Sequence, residues 1–307
     1  MPTEFYKSEI NGELASIEQP GTFDSFNEQR SFLQSQQATS QFCSKLIKAV
    51  EGDDLDEAKR LLEEARDTTG SMCTEKGKHW YSALHTAAII GNVEAVNLLL
   101  KYNADVNSQN SWRKESPLHF AAIKGQTKVL ETLLSRGASV NSVNASGSTP
   151  LHHAAREGHV AATCSLIVSG AKVNAKNAVQ DTPLHEAVMN CKLDTTNILI
   201  KHGCRVNSQN SYGETSLHLA LQNKHLALVK LLLLSSADPS IRNKEMKSAF
   251  ELADDYEFFK ELKASNATVV TKLQPPSPTP TLQLRPKTSK TSLSSTPRPT
   301  VPKETTV

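Results

Sequence analysis

The sequence predicts an all-α solenoid: six full copies of a helix–turn–helix unit and a C-terminal cap, flanked by segments that do not fold. Three observations carry this. A short motif returns at a nearly constant interval through the middle of the 307-residue chain. Each return sets helix-start residues ahead of an apolar pattern, and most set Gly behind it. Charge and composition change abruptly on either side of the repeating part.

The interval comes first. His85, His119, His152, His185 and His218 are spaced by 34, 33, 33 and 33 residues, and each follows a Leu: Leu84, Leu118, Leu151, Leu184, Leu217. Asn107, Asn141, Asn174 and Asn207 keep the same register, as do Gly91, Gly125 and Gly158. Self-similarity at this period marks one supersecondary unit stacked on copies of itself.

Within one unit the residues specify their own structure. Thr149 is a good N-cap, because its hydroxyl can accept from a first-turn backbone N–H. Pro150 stands at the first helical position, where a missing donor costs little. Leu151, Ala154 and Ala155 follow at helical spacing, the small alanines letting a second helix approach, and Gly158 suits the left-handed helix end. A second helix is predicted over about Val160 to Val168, with Gly170 ending it. The Asn-, Ser- and Gly-rich stretch between units reads as a projecting turn.

This pattern resembles the ankyrin repeat over residues 42–262. Copies begin near residues 42, 78, 111, 144, 177 and 210, and a cap spans 243–262. The first copy, 42–77, lacks the Thr-Pro-Leu-His start but keeps Ala49, Gly52, Leu61 and Leu62. In the cap, Ser248 with Glu251 forms a capping box, and Lys260 and Glu261 put charge on the outer face. Cys191 and Lys224 stand where the register predicts Gly, so the fifth and sixth copies are expected to be the looser ones.

The flanks differ. Residues 1–41 hold six acids and two bases, a net of −4, and show no helical or strand period. Residues 263–307 hold seven bases, one acid, 8 Pro and 16 Ser or Thr, too little apolar surface to offset chain entropy. Both are expected to be disordered.

A net charge of only +2 argues against a nucleic-acid coat or a membrane-surface protein. Met1 to Ile10 offers no apolar leader, and Leu226 to Leu234, interrupted by Lys230, is too short to span a bilayer. The cysteines, Cys43, Cys73, Cys164, Cys191 and Cys204, lack any regular spacing and read as small buried thiols of a reducing compartment. Cytoplasm is the expected location, beneath the membrane if a scaffold holds the tail, with the nucleus as the other compartment. The five register His are expected to bond between neighbouring copies, while His153, His159, His202 and His225 are expected at outer, solvated positions. No nucleophile, phosphate-loop or paired-His metal motif is found. The expectation is therefore a monomeric protein that is not an enzyme and uses no cofactor or metal.

The resemblance implies partner binding through turn tips and the exposed side of the first helices. The candidates are Trp80, Tyr81, Trp112, Arg113 and Tyr212 on tips, and Ile89, Ile90, Ile123, Lys124, Arg156 and Met189 on the helices. It also implies that Asn107, Asn141, Asn174 and Asn207, each after Val, are candidates for hydroxylation; the alternative is that each braces its own turn. The chain ends Glu304-Thr305-Thr306-Val307, resembling a PDZ-domain ligand, which adds as a strand and buries its last side chain. Ser277, Thr279 and Thr296 precede Pro as in proline-directed phosphorylation sites. The predicted function is a protein-interaction adaptor, the array holding one protein and the tail a PDZ scaffold. The alternatives are a regulatory or inhibitory subunit, which binds an enzyme or transcription factor through the array, and a substrate receptor for a ubiquitin ligase.

Overall fold

A Ser or Thr N-cap sets where the inner helix of copies 2 to 6 begins, and Pro takes the first helical position in copies 3 to 5. The computed structural model describes residues 41–68, 82–249 and 251–253. Its helices pair in chain order. Helix α1 covers 41–51 and α2 Leu55–Thr68; α3 (Ala83–Ile90) pairs with α4 (Val93–Lys101), and α5 (Pro117–Lys124) with α6 (Thr127–Ser135). α7 (Pro150–Glu157) pairs with α8 (Val160–Val168), α9 (Pro183–Met189) with α10 (Leu193–Lys201), and α11 (Ser216–Gln222) with α12 (Leu226–Leu234). A 3-10 turn, Glu251–Ala253, packs on α11. Among the described residues no strand forms, only a bridge between Arg242 and Ser248, and no helix is long and apolar enough to cross a membrane.

The odd-numbered helices from α3 pack on one another as an inner layer, and the even-numbered ones form an outer layer. Leu118, Leu151, Leu184 and Leu217 are essentially fully buried between the layers, with Ala121, Ala154, Ala187 and Ala220. Leu99, Leu133, Leu166, Leu199 and Leu232 meet them from the outer helices. Each such Leu is worth about 2 kcal/mol of transfer free energy.

The register His hold the copies together. In copy 4 the Nδ1 of His152 accepts from the Thr149 backbone N–H at 3.1 Å. An amide can only donate, so the ring proton sits on Nε2, which donates to the Asp181 carbonyl of the next copy at 3.0 Å. His85, His119, His185 and His218 repeat this on the carbonyls of Glu115, Ser148, Glu214 and Lys247 at 3.0 to 3.3 Å. Burial holds His85, His119 and His185 neutral, with pKa values lowered to about 4. The expected bond between copies is present at all five.

Glycine matters where the next copy leans on it. At Gly125 (φ 67°) a Cβ would lie 2.6 Å from the ring of His159, whose Nε2 bonds the Ile123 carbonyl at 3.0 Å. At Gly158 (φ 84°) it would meet the aliphatic stem of Lys192 at 2.7 Å. Cys191 and Lys224 take the same left-handed turn, at φ 57° and 55°. The Cβ of Cys191 goes with a change of covering residue: Asn223, not His225, reaches back to the Met189 carbonyl at 2.9 Å. His225 instead caps α12 through the Leu228 N–H. In the first copy the left-handed residue is Asp53 (φ 56°), which follows Gly52.

Three further readings are corrected. His153 is buried, 6 % exposed within α7, because the inner layer covers that helix from both sides; its pKa is lowered to about 3, chiefly by that burial. His159 and His225 are half-buried and engaged as above, so of the four only His202 is exposed. The cysteines are not a buried set: Cys191 is exposed, and Cys43, Cys164 and Cys204 are half-buried. The expected capping box does form, with Ser248 N–H on Glu251 Oε2 at 2.7 Å and Glu251 N–H on Ser248 Oγ at 3.3 Å. Cys73, Lys260 and Glu261 lie outside the described residues.

Candidate functional site

The turn tips form one continuous row, built by two sets of bonds. A buried Asn pins each turn from inside: Asn144 Oδ1 accepts from the N–H groups of Ser146 and Ser148, both at 3.0 Å. Asn177, Asn210 and Asn243 do the same in their copies. Adjacent tips then bond through their backbones, Ala145 N–H to Arg113 O, Ala178 to Ser146, Ser211 to Val179 and Lys244 to Tyr212, at 2.8 to 3.0 Å. These pairs make Arg113, Ser146, Val179 and Tyr212 equivalent positions.

Copy 3 breaks the rule. Four residues, Ser111 to Lys114, separate Asn110 from Glu115, whereas three separate Asn144 from Ser148 and the corresponding pairs of later copies. The single 34-residue interval of the His series contains this one extra tip residue. It is here that Trp112 stands, 54 % exposed, with the Arg113 guanidinium 4.3 Å from the centroid of its ring. A cation over an indole face holds both side chains in one orientation.

The other candidates scatter along the same face. Tyr212 is 62 % exposed on its tip, Ile90 and Met189 are exposed at the far ends of α3 and α9, and Lys124 is exposed at the end of α5. Ile89 and Ile123 are half-buried. Arg156 is not available as a loose cation: it makes a bidentate bond to Glu186, 2.9 Å at each nitrogen. Val179 and Met246, exposed on later tips, went unnoticed in the sequence although Val179 shares the register of Tyr212. Trp80, Tyr81, Ser277, Thr279, Thr296 and Glu304 to Val307 lie outside the described residues.

Beneath this face runs a buried polar seam that the sequence reading missed. Asn177 Nδ2 supports Glu186 at 3.3 Å, and Asn210 Nδ2 donates to Asp181 Oδ1 at 3.0 Å. Asn144 Nδ2 donates to His153 Nε2 at 3.2 Å, and Glu115 Oε1 lies 3.9 Å from that nitrogen. Burial raises the pKa of Glu115 and of Asp181 above the ordinary carboxylate range. The signal was present in the sequence: Asn110, Asn144, Asn177, Asn210 and Asn243 repeat in register, and acids recur at Glu115, Asp181 and Glu214 just before the helix start.

The asparagines that follow Val, candidates for hydroxylation with turn bracing as the alternative, bridge copies in the structure. Asn107 Oδ1 accepts from Ser139 N–H, Asn141 from Lys172, Asn174 from Arg205 and Asn207 from Asp238, at 2.7 to 2.8 Å.

A helical-repeat array with a fixed row of tips beside its inner helices is a protein-interaction module. A family model of ankyrin repeats, three copies long, matches residues 84–177 and again 151–243, together a little over half of the chain. The chain belongs to the ankyrin-repeat family. No curated protein matches it.

Proposed function

We propose that this protein is a non-enzymatic adaptor whose array contacts one protein partner through the tips and inner helices, centred on the tip of copy 3. The observation that carries this is the extra tip residue that displays Trp112 beside a stacked Arg113. An aromatic side chain more than half exposed on a rigid backbone loses little entropy on binding, and Trp and Arg are the side chains in which interface energy concentrates. Glu304 to Val307 are proposed as the second site, a ligand for a PDZ groove, on their sequence alone.

The test is quantitative affinity capture from lysate with three baits: the full chain, Trp112→Ala, and a deletion of Val307. The expected result is two sets of proteins, one lost with Trp112→Ala and another, containing PDZ domains, lost with the deletion. A Trp112→Ala bait that retains every protein held by the full chain removes the array site from the proposal. An unchanged set after the deletion removes the tail site.

A further inference from the structure

We propose that the tip of copy 3 and the end of helix α5 together bind an acidic, extended peptide segment of a partner protein. The inference rests on the reading that this tip is the contact site, and adds the chemistry of what it contacts.

The charges define the occupant. Arg113, Lys114 and Lys124 are all exposed, and among the described residues none of the three is in an ion pair. Among the described residues, three cations from one copy thus face solvent without an ion-paired carboxylate, Arg113 acting on Glu115 only through its charge. Arg156 in the next copy shows the contrast, since Glu186 holds its guanidinium at 2.9 Å. Of the two acids of copy 3, Glu131 lies on the outer helix α6, and Glu115, at the base of the tip, is turned inward and only 3 % exposed, so it screens these cations less than a surface carboxylate would. Glu157 is the exposed acid on the neighbouring inner helix, and it borders Arg156.

Geometry gives the spacing. Helix α5 rises about 10 Å at 1.5 Å per residue from Pro117, beside the tip, to Lys124, which sets the scale of the separation between the tip cations and the one at the helix end. An extended peptide rises about 3.3 Å per residue, which places its acids three or four residues apart. Trp112 and the half-buried Ile123 supply apolar surface for the same segment.

The tip also has an unmet donor at its base. Asn110 Oδ1 accepts from Arg113 and Glu115 N–H, but its Nδ2 is buried without any partner. Copies 4 and 5 supply His153 and Glu186 at the place where copy 3 has Phe120. Among the described residues, copy 3 therefore holds its longer tip with one side-chain bond fewer than they do.

The experiment pans a displayed library of random twelve-residue peptides on the full chain. The enriched peptides are then measured by fluorescence polarisation on the full chain, on Trp112→Ala, and on the triple variant Arg113→Gln/Lys114→Gln/Lys124→Gln. All changed residues are exposed, and matching thermal melts check that the variants fold. The expected result is enrichment of Asp and Glu spaced three or four apart, with at least tenfold weaker binding to the triple variant. Neutral or basic peptides that Trp112→Ala releases would overturn the acidic chemistry while sparing the contact site. Acidic peptides that bind the triple variant undiminished, or no enrichment at all, would overturn the proposal. Peptides that Trp112→Ala binds as well as the full chain does would overturn the contact site itself.

Discussion

His152 donates its Nε2–H to the carbonyl of Asp181, 3.0 Å away and 29 residues further along the chain. The bond requires a neutral ring, because Nδ1 is already taken as an acceptor by the Thr149 N–H. A second proton on the imidazole would face that amide donor to donor. Five copies of this arrangement make the stacking of the array depend on five uncharged histidines.

Stability should therefore fall with acid in a defined window. The pKa values of His85, His119 and His185 drop from 6.5 to about 4 on folding. Between those values the unfolded chain binds more protons than the folded one, so stability rises with pH there. The contribution is complete above about pH 6.5 and lost as pH falls towards 4, at most about 3 kcal/mol per residue. Urea midpoints measured from pH 8 to pH 4 should be flat and then decline below about 6.5. Resonances assigned to His85, His119 and His185 that titrate near 6.5 in the folded protein would contradict the assignment.

Replacing one register His separates its two roles. His152→Leu leaves the buried Thr149 N–H without a partner and takes from the Asp181 carbonyl one of its two donors, the Asn177 N–H staying at 3.0 Å, a loss of about 1–3 kcal/mol. His152→Gln can still reach the N-cap amide as a capping-box residue does, so it should cost roughly half as much. Equilibrium denaturation of both variants decides this. Equal losses would mean that the bond to the next copy, not the cap, carries the whole effect.

The repeat was legible because its signals are local. Thr149, Pro150 and Gly158 bound one helix, and Gly170 ends the next, so α7 and α8 start and stop where the residues say. What escaped lies between copies. His153 looked solvated because the sequence does not display Asn144 on one side and the flanking inner helices on the others. Nothing in the sequence marks Glu115 and Glu186 as buried, because His153 and Arg156, which lie beside them, are 38 and 30 residues away. The extra residue of copy 3 was visible as an interval of 34, but only the backbone bonds between tips place it beside Trp112.

The two non-glycine helix ends offer a gain. Cys191 and Lys224 hold left-handed φ values of 57° and 55°, a conformation that disfavours a Cβ by roughly 1–2 kcal/mol. Glycine removes that strain and returns part of it as unfolded-state entropy. Cys191→Gly and Lys224→Gly should each stabilise by about 0.5–1 kcal/mol, read as a rise in melting temperature. Gly158→Ala should do the reverse, since its methyl would meet Lys192 at 2.7 Å. A neutral or lower melting point in both glycine variants would show that the fifth and sixth copies are not strained at these turns.

The Arg156–Glu186 pair is asymmetric, and that makes it diagnostic. Glu186 is 4 % exposed at its side chain while Arg156 is 41 % exposed, so losing the arginine strands a carboxylate that water cannot reach. Removing one partner of a fully buried pair costs about 3–5 kcal/mol. Solvent at Arg156 screens part of this, so Arg156→Met should cost about 2 kcal/mol. Glu186→Gln keeps an acceptor for Asn177 Nδ2 and discards the charge, so the double variant should recover about half of the loss. A full double-mutant cycle by urea denaturation measures the coupling. If the two single losses simply add, Glu186 is satisfied without Arg156, and the arginine is then free to serve the binding face after all.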